Sequence, residues 1–111
     1  MASILVSEAD PDVRRLLMVL VERLGHAPVA LTRNGEAPPR ADLLLLEPSA
    51  SWCLEQAQLA RLFFPELPIV CMGMPPDGAD FLAEGRVAFL EKPFSLEALE
   101  AAVTALAPSP V

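Results

Sequence analysis

The run Leu43-Leu44-Leu45-Leu46, closed by Glu47, constrains this chain more than any other feature. Successive side chains of a strand point to opposite faces. Consecutive leucines therefore place apolar surface on both faces, and such a strand needs cover on each side. That is the situation of a parallel sheet held between two helical layers. Residues 3–6, 28–31, 69–72 and 87–90 form further short apolar runs and read as companion strands, the run at 28–31 being the weakest.

The segments between these runs carry helix signals. Asp10-Pro11 is a helix start, because Asp accepts hydrogen bonds from the free amides and Pro fits the first helical position. Val13, Leu16, Leu17, Leu20 and Leu24 then follow a helical stripe that Gly25 ends. Ser51 reads as the cap of a helix to about residue 64, with Leu54, Ala57, Leu62 and Phe63 or Phe64 buried and Pro65 and Pro68 as stops. Residues 80–84 make a short helix at most, ended by Gly85, and residues 74–78 read as loop. Ser95 caps the last helix, whose stripe is Leu96, Leu99, Val103 and Leu106.

Strands thus alternate with helices, which predicts an α/β fold with a parallel sheet. One link is short. Residues 32–41 hold an Asn34-Gly35 turn signal and Pro38-Pro39. A parallel crossover takes roughly a dozen residues or more, so a single turn or irregular link is expected in place of a second helix. The chain reads as one domain over residues 1–107, with 108–111 as a Pro-containing tail or linker start.

Composition excludes several classes of function. The 111 residues suit one domain, and the 53% hydrophobic content can build a core without staples. A formal charge of -7 with no basic cluster argues against a nucleic-acid surface. No run approaches the roughly 20 apolar residues of a membrane span, and no signal peptide is visible, so a cytoplasmic protein is expected. Cys53 and Cys71 lack metal-ligand spacing and read as reduced, buried thiols. His26, the sole histidine, reads as an exposed loop residue, and Trp52 as packing. Ser7, Ser49 and Ser51 have no histidine or lysine base in view, so no catalytic residue is assigned and no enzyme is expected.

In an open α/β sheet, ligands gather beyond the carboxyl ends of the strands. Those ends carry Ser7-Glu8-Ala9-Asp10, Glu47, Gly73 and Lys92. Glu8, Glu47 and the Lys92 ammonium should share one crevice.

Four segments together resemble one family. They are residues 4–17 (Ile-Leu-Val-Ser-Glu-Ala-Asp-Pro-Asp-Val-Arg-Arg-Leu-Leu), 41–47 (Ala-Asp-Leu-Leu-Leu-Leu-Glu), 67–74 (Leu-Pro-Ile-Val-Cys-Met-Gly-Met) and 85–94, which includes Phe89-Leu90-Glu91-Lys92-Pro93-Phe94. In this order the chain resembles the response-regulator receiver domain of the CheY-like superfamily over nearly its full length. The resemblance implies a three-layer, flavodoxin-like sandwich with a five-stranded parallel sheet in the order 2-1-3-4-5. It also implies a role in two-component or phosphorelay signalling, with a histidine kinase, an output domain or another receiver as partner. Nucleic acid and membrane are not expected partners of this domain. The resemblance also implies a contact surface for dimers and partners on the last helix, the fifth strand and the short helix at 80–84, with Asp77, Gly78, Glu84 and Arg86 at its rim, and a homodimer through the last helix and last strand is a further expectation.

The departures from the family pattern are specific. Glu47 stands where the family has the aspartate that accepts a phosphoryl group. Ala9 replaces the second of two adjacent acids that hold a divalent metal, leaving Glu8 alone, and Asp10 is expected to cap the helix. Gly73 replaces the hydroxyl residue that bonds the phosphoryl and is expected to need positive φ. Lys92 is retained, with Glu47 its expected partner, and its bond to Pro93 is often cis in the family. Phe89 matches the family's switching aromatic, although a core or rim role is the plainer expectation. An extra methylene displaces the Glu47 oxygens, and misplacement by about 1 Å can cost ~10²-fold in rate. The resemblance therefore implies a pseudo-receiver, a phosphorylation-independent interaction module without a cofactor. The alternative is an active receiver that uses Mg²⁺ and is phosphorylated by a kinase.

Overall fold

The computed structural model describes residues 1–33, 37–77 and 79–107. The Asn34-Gly35 turn, Gly78 and the tail at 108–111 lie outside the described residues. The elements run β1 (Ser3–Ser7), α1 (Pro11–Arg23), β2 (Ala27–Ala30), β3 (Leu43–Leu46), α2 (Ser51–Phe63), β4 (Ile69–Met72), a 3₁₀ turn (Asp80–Ala83), β5 (Val87–Leu90) and α3 (Leu96–Leu106). All strand pairs are parallel, and the sheet order is β2-β1-β3-β4-β5. This is the three-layer α/β sandwich expected from the strand pattern and the resemblance.

β3 lies at the centre, and all four of its leucines have no exposed surface. Leu43 and Leu45 pack with Val6, Leu17, Val21, Leu99 and Val103 beneath α1 and α3. Leu44 and Leu46 pack with Cys53, Ala57, Ala60 and Leu82 beneath α2 and the 3₁₀ turn. The pleat thus divides one apolar run between two cores. Among the described residues between β2 and β3 there is no helix, as the short link requires. No helix among the described residues is long and apolar enough to cross a membrane.

The local helix signals fold as expected where side-chain chemistry decides them. Asp10 Oδ1 accepts from the Asp12 and Val13 amides at 2.9 and 3.3 Å, with Pro11 at the first helical position. Ser95 Oγ accepts from the Ala98 amide at 3.0 Å. Ser51 is a correction. It is the first helical residue, Ala50 occupies the cap, and no side chain caps α2.

Helix phase needs correction too. In α1 the fully buried positions are Leu17 and Val21, while Val13 and Leu16 face solvent. In α2 they are Cys53, Ala57 and Ala60. Leu62 and Phe63, expected in the core, are 75% and 56% exposed. Leu54 and Phe64 pack only at the margin of that cluster. Small side chains let α2 sit close on Leu44 and Leu46, and this rotates its largest residues outward. In α3, Leu99 and Val103 are buried and Leu96 is exposed.

Candidate functional site

The crevice forms beyond the carboxyl ends of β1, β3 and β5. β1 delivers Glu8, β3 delivers Glu47, and β5 leads into Lys92. The Lys92 ammonium forms an ion pair with Glu47 Oε2, so that pairing is as expected. Glu47 Oε1 accepts from the Ser49 amide at 2.9 Å. Glu8 Oε2 accepts from the Ala9 amide at 3.0 Å, while the Glu8 carbonyl accepts from Arg14 at 3.1 Å. Both carboxylates are nearly buried, at 5% exposure for Glu8 and 7% for Glu47.

The pKa values of the two acids are displaced in opposite directions. Burial pushes the Glu8 pKa above its ordinary value, and the nearby Glu47 charge pushes it further. Burial also raises Glu47, but its bonds to Lys92 and Ser49 outweigh this and hold its pKa below the ordinary value. The Lys92 cation thus favours the ionised form of Glu47, whereas burial makes Glu8 harder to ionise than a free glutamate.

The divalent metal that the resemblance would place here does not fit these residues. Mg²⁺ takes near-octahedral oxygen ligands, with carboxylates among them. Ala9 offers none, Asp10 is committed to the helix cap through Oδ1, and Glu47 is already paired with the Lys92 cation. Among the described residues no group of three or more His, Cys, Asp or Glu side chains is placed to hold a metal.

Gly73 closes β4 with φ +122°, the positive value expected of it. A Cβ built there has Pro48 Cδ at 4.0 Å as its nearest neighbour, so the position is set by backbone conformation and not by crowding. With Met74, Glu91 and Lys92 it lines a shallow depression of about 290 Å³. Neither buried glutamate lines that depression. The Lys92–Pro93 peptide is cis. Phe89 is 55% exposed and borders a cleft that Leu82 and Val87 also line.

The remaining candidates sort by burial. Cys53 and Cys71 are free, fully buried thiols. Trp52 is half-buried against the α2 core. The Ser7 hydroxyl is buried with no hydrogen-bond partner among the described residues. His26 is a correction, for it is partly buried and its Nδ1 accepts from the Ala2 amide at 3.0 Å, tying down the start of β1. Arg61 carries a role that no sequence signal announced. From the last turn of α2 it donates to the carbonyls of Leu67, Glu84 and Arg86 at 2.6, 2.9 and 3.4 Å. An arginine near a helix C-terminus is commonplace, and only the fold brings those carbonyls to it.

No family model matches the chain, and no curated protein matches it. Solved structures do. The chain resembles the Vibrio cholerae chemotaxis protein CheY4 with a TM-score of 0.78 at 19% identity, covering 96% of this chain and 98% of that one. A two-component response regulator from Clostridium difficile matches with a TM-score of 0.70 at 26% identity, covering 96% of this chain and 95% of that one. The receiver domain of the sensor histidine kinase PA1611 from Pseudomonas aeruginosa, solved with a magnesium ion in its active-site cleft, matches with a TM-score of 0.71 at 17% identity, covering 95% of this chain and 96% of that one. The parallel sheet in the order β2-β1-β3-β4-β5, shared over almost the full chain with these proteins, gives this chain the receiver fold of two-component response regulators.

Proposed function

We propose that this chain is a receiver-fold signalling module that works through protein contacts and without phosphoryl transfer or a metal cofactor. The Glu47–Lys92 ion pair carries the reading. A carboxylate is a competent nucleophile in principle, but the extra methylene of Glu47 displaces its oxygens, and misplacement by about 1 Å can cost ~10²-fold in rate. Here one Glu47 oxygen is bound by the ammonium and the other by the Ser49 amide. Ala9 and Gly73 support the same conclusion, since neither can supply the ligand or hydroxyl its position would need. The Glu47–Lys92 pair then stands as a fixed charge pair in the crevice, with Glu8 near it. The chain would signal by binding, not by catalysis. Its partners would be the proteins that receivers meet, a kinase, an output domain or another receiver. A cytoplasmic setting suits such partners.

The test is a titration with Mg²⁺ followed by acetyl phosphate or beryllofluoride, read by Trp52 fluorescence and intact mass. No saturable metal response and no phosphoryl adduct are expected. A metal response with a phosphoryl mass gain would make this an active receiver with an unusual acceptor.

A further inference from the structure

One face of α1 packs Leu17 and Val21 into the core, and the opposite face is turned to solvent. Asp12, Leu16, Val19 and Arg23 lie four, three and four residues apart, so they form a single stripe along that outer face. All four are exposed, Leu16 at 57% and Val19 at 42%. Exposed Arg15 and Glu22 flank the stripe on one side. Val13, exposed, and Leu20, partly buried, flank it on the other. The one other charge on the helix, Arg14, donates to the Glu8 carbonyl at 3.1 Å. Among the described residues, no ion pair engages Asp12, Arg15, Glu22 or Arg23.

The helix dipole accounts for an acid in the first turn and a base in the last. It does not account for the exposed apolar residues between them. The stripe reads acid, apolar, apolar, base, and its spacing is the same from either end. Such a stripe complements itself when reversed. A second α1 laid antiparallel across a two-fold axis, at the level of Leu17 and Met18, sets Asp12 against Arg23 of the copy and Leu16 against its Val19. On one flank Arg15 comes beside Glu22 of the copy, and on the other Val13 comes beside its Leu20. Each of these contacts occurs twice, which makes the interface isologous and closed.

We infer that this outer face of α1 is an interface with a second copy of the chain. Neither of the other described helices offers such a match. α3 has Glu97 and Glu100 and no base, so its own copy would bring like charges together. On α2 the single base, Arg61, is held by the carbonyls of Leu67, Glu84 and Arg86. Both copies are acidic overall, but at physiological ionic strength charges are screened beyond about 8 Å. The contacting groups then decide the outcome. The 13 residues of α1 make a helix about 20 Å long. A contact of that length lies at the small end of specific interfaces, so the dimer is weak and forms as concentration rises.

The inference is independent of whether Glu47 can be phosphorylated, and it is tested by mass in solution. Light scattering after gel filtration should show a concentration-dependent dimer. Asp12→Arg with Glu22→Arg, or Arg15→Glu with Arg23→Glu, should each give monomer, because the antiparallel pairs then join like charges. Mixing the two variants should restore a 1:1 dimer, although both remain acidic overall. Mixing would not repair a loss that came from the helix dipole alone. Should the charge variants lose their circular dichroism, Leu16→Asp at an exposed position should still abolish the dimer with the fold intact. A chain that stays monomeric at the highest concentration its solubility allows overturns the inference. So does a dimer that survives Leu16→Asp and is lost on Leu96→Asp, which would place the interface on α3. Failure of the mixed variants to pair, or growth into longer assemblies, overturns it by excluding the antiparallel two-fold contact.

Discussion

Glu8 and Glu47 are the same residue type at nearly the same burial, yet their pKa values move in opposite directions. The pH dependence of stability follows from the sign of each shift. Glu8 is raised, so the folded state holds its proton more tightly than the unfolded chain does. Its contribution is complete below the ordinary value of 4.5 and is lost as pH rises through the folded pKa. Glu47 is lowered, so its contribution is present above 4.5 and is lost as pH falls through its folded pKa. Glu8→Gln should therefore raise stability near neutral pH and change it little in acid. Lys92→Ala should cost about 1 kcal/mol near neutral pH, since Lys92 is half exposed but leaves a buried carboxylate behind. That cost should shrink in acid, as Glu47 becomes protonated. Urea unfolding at a series of pH values checks both. A Glu8→Gln variant less stable at pH 7 would show that Glu8 is held ionised by a partner.

Helices in this protein show where local chemistry stops deciding structure. The Asp10 and Ser95 caps are legible in the sequence, because each is a side chain bonding an amide two or three residues away. The phase of α2 is not legible, because an amphipathic reading favours large apolar residues and the packed helix favours small ones. Leu99 has no exposed surface, whereas Leu62 is 75% exposed. Leu99→Ala should cost about 2–5 kcal/mol, while Leu62→Ala should stay within about 0.5 kcal/mol. Thermal or chemical unfolding of the two variants measures the difference directly. Equal costs would mean that α2 is rotated from the orientation described. Gly85 belongs to the same scale. With φ +75° and the Arg61 guanidinium against it, Gly85→Ala should lose about 1–2 kcal/mol from backbone strain alone.

At the scale of the whole molecule, the two cores separate chemistry from packing. Cys53 and Cys71 lie in the core beneath α2, and burial pushes the Cys71 thiol up to about 11, with the Glu47 charge adding to it. Burial raises Cys53 as well. Neither thiol should react with an aromatic disulfide reagent in the native protein, and both should react together as the chain unfolds. Fast labelling of one cysteine with circular dichroism unchanged would reveal local opening of that core. The sequence alone determined that β3 is covered on both faces, because four consecutive leucines admit no solvent-facing side, and that the sheet is parallel, because strand and helix signals alternate. It also determined that Glu8, Glu47 and Lys92 meet, because all three follow strand ends of a parallel sheet. Only the tertiary structure decided which face of each helix is buried. It alone brought Arg61 to the carbonyls of Glu84 and Arg86, since those contacts join residues far apart in the chain and depend on where the layers come to rest.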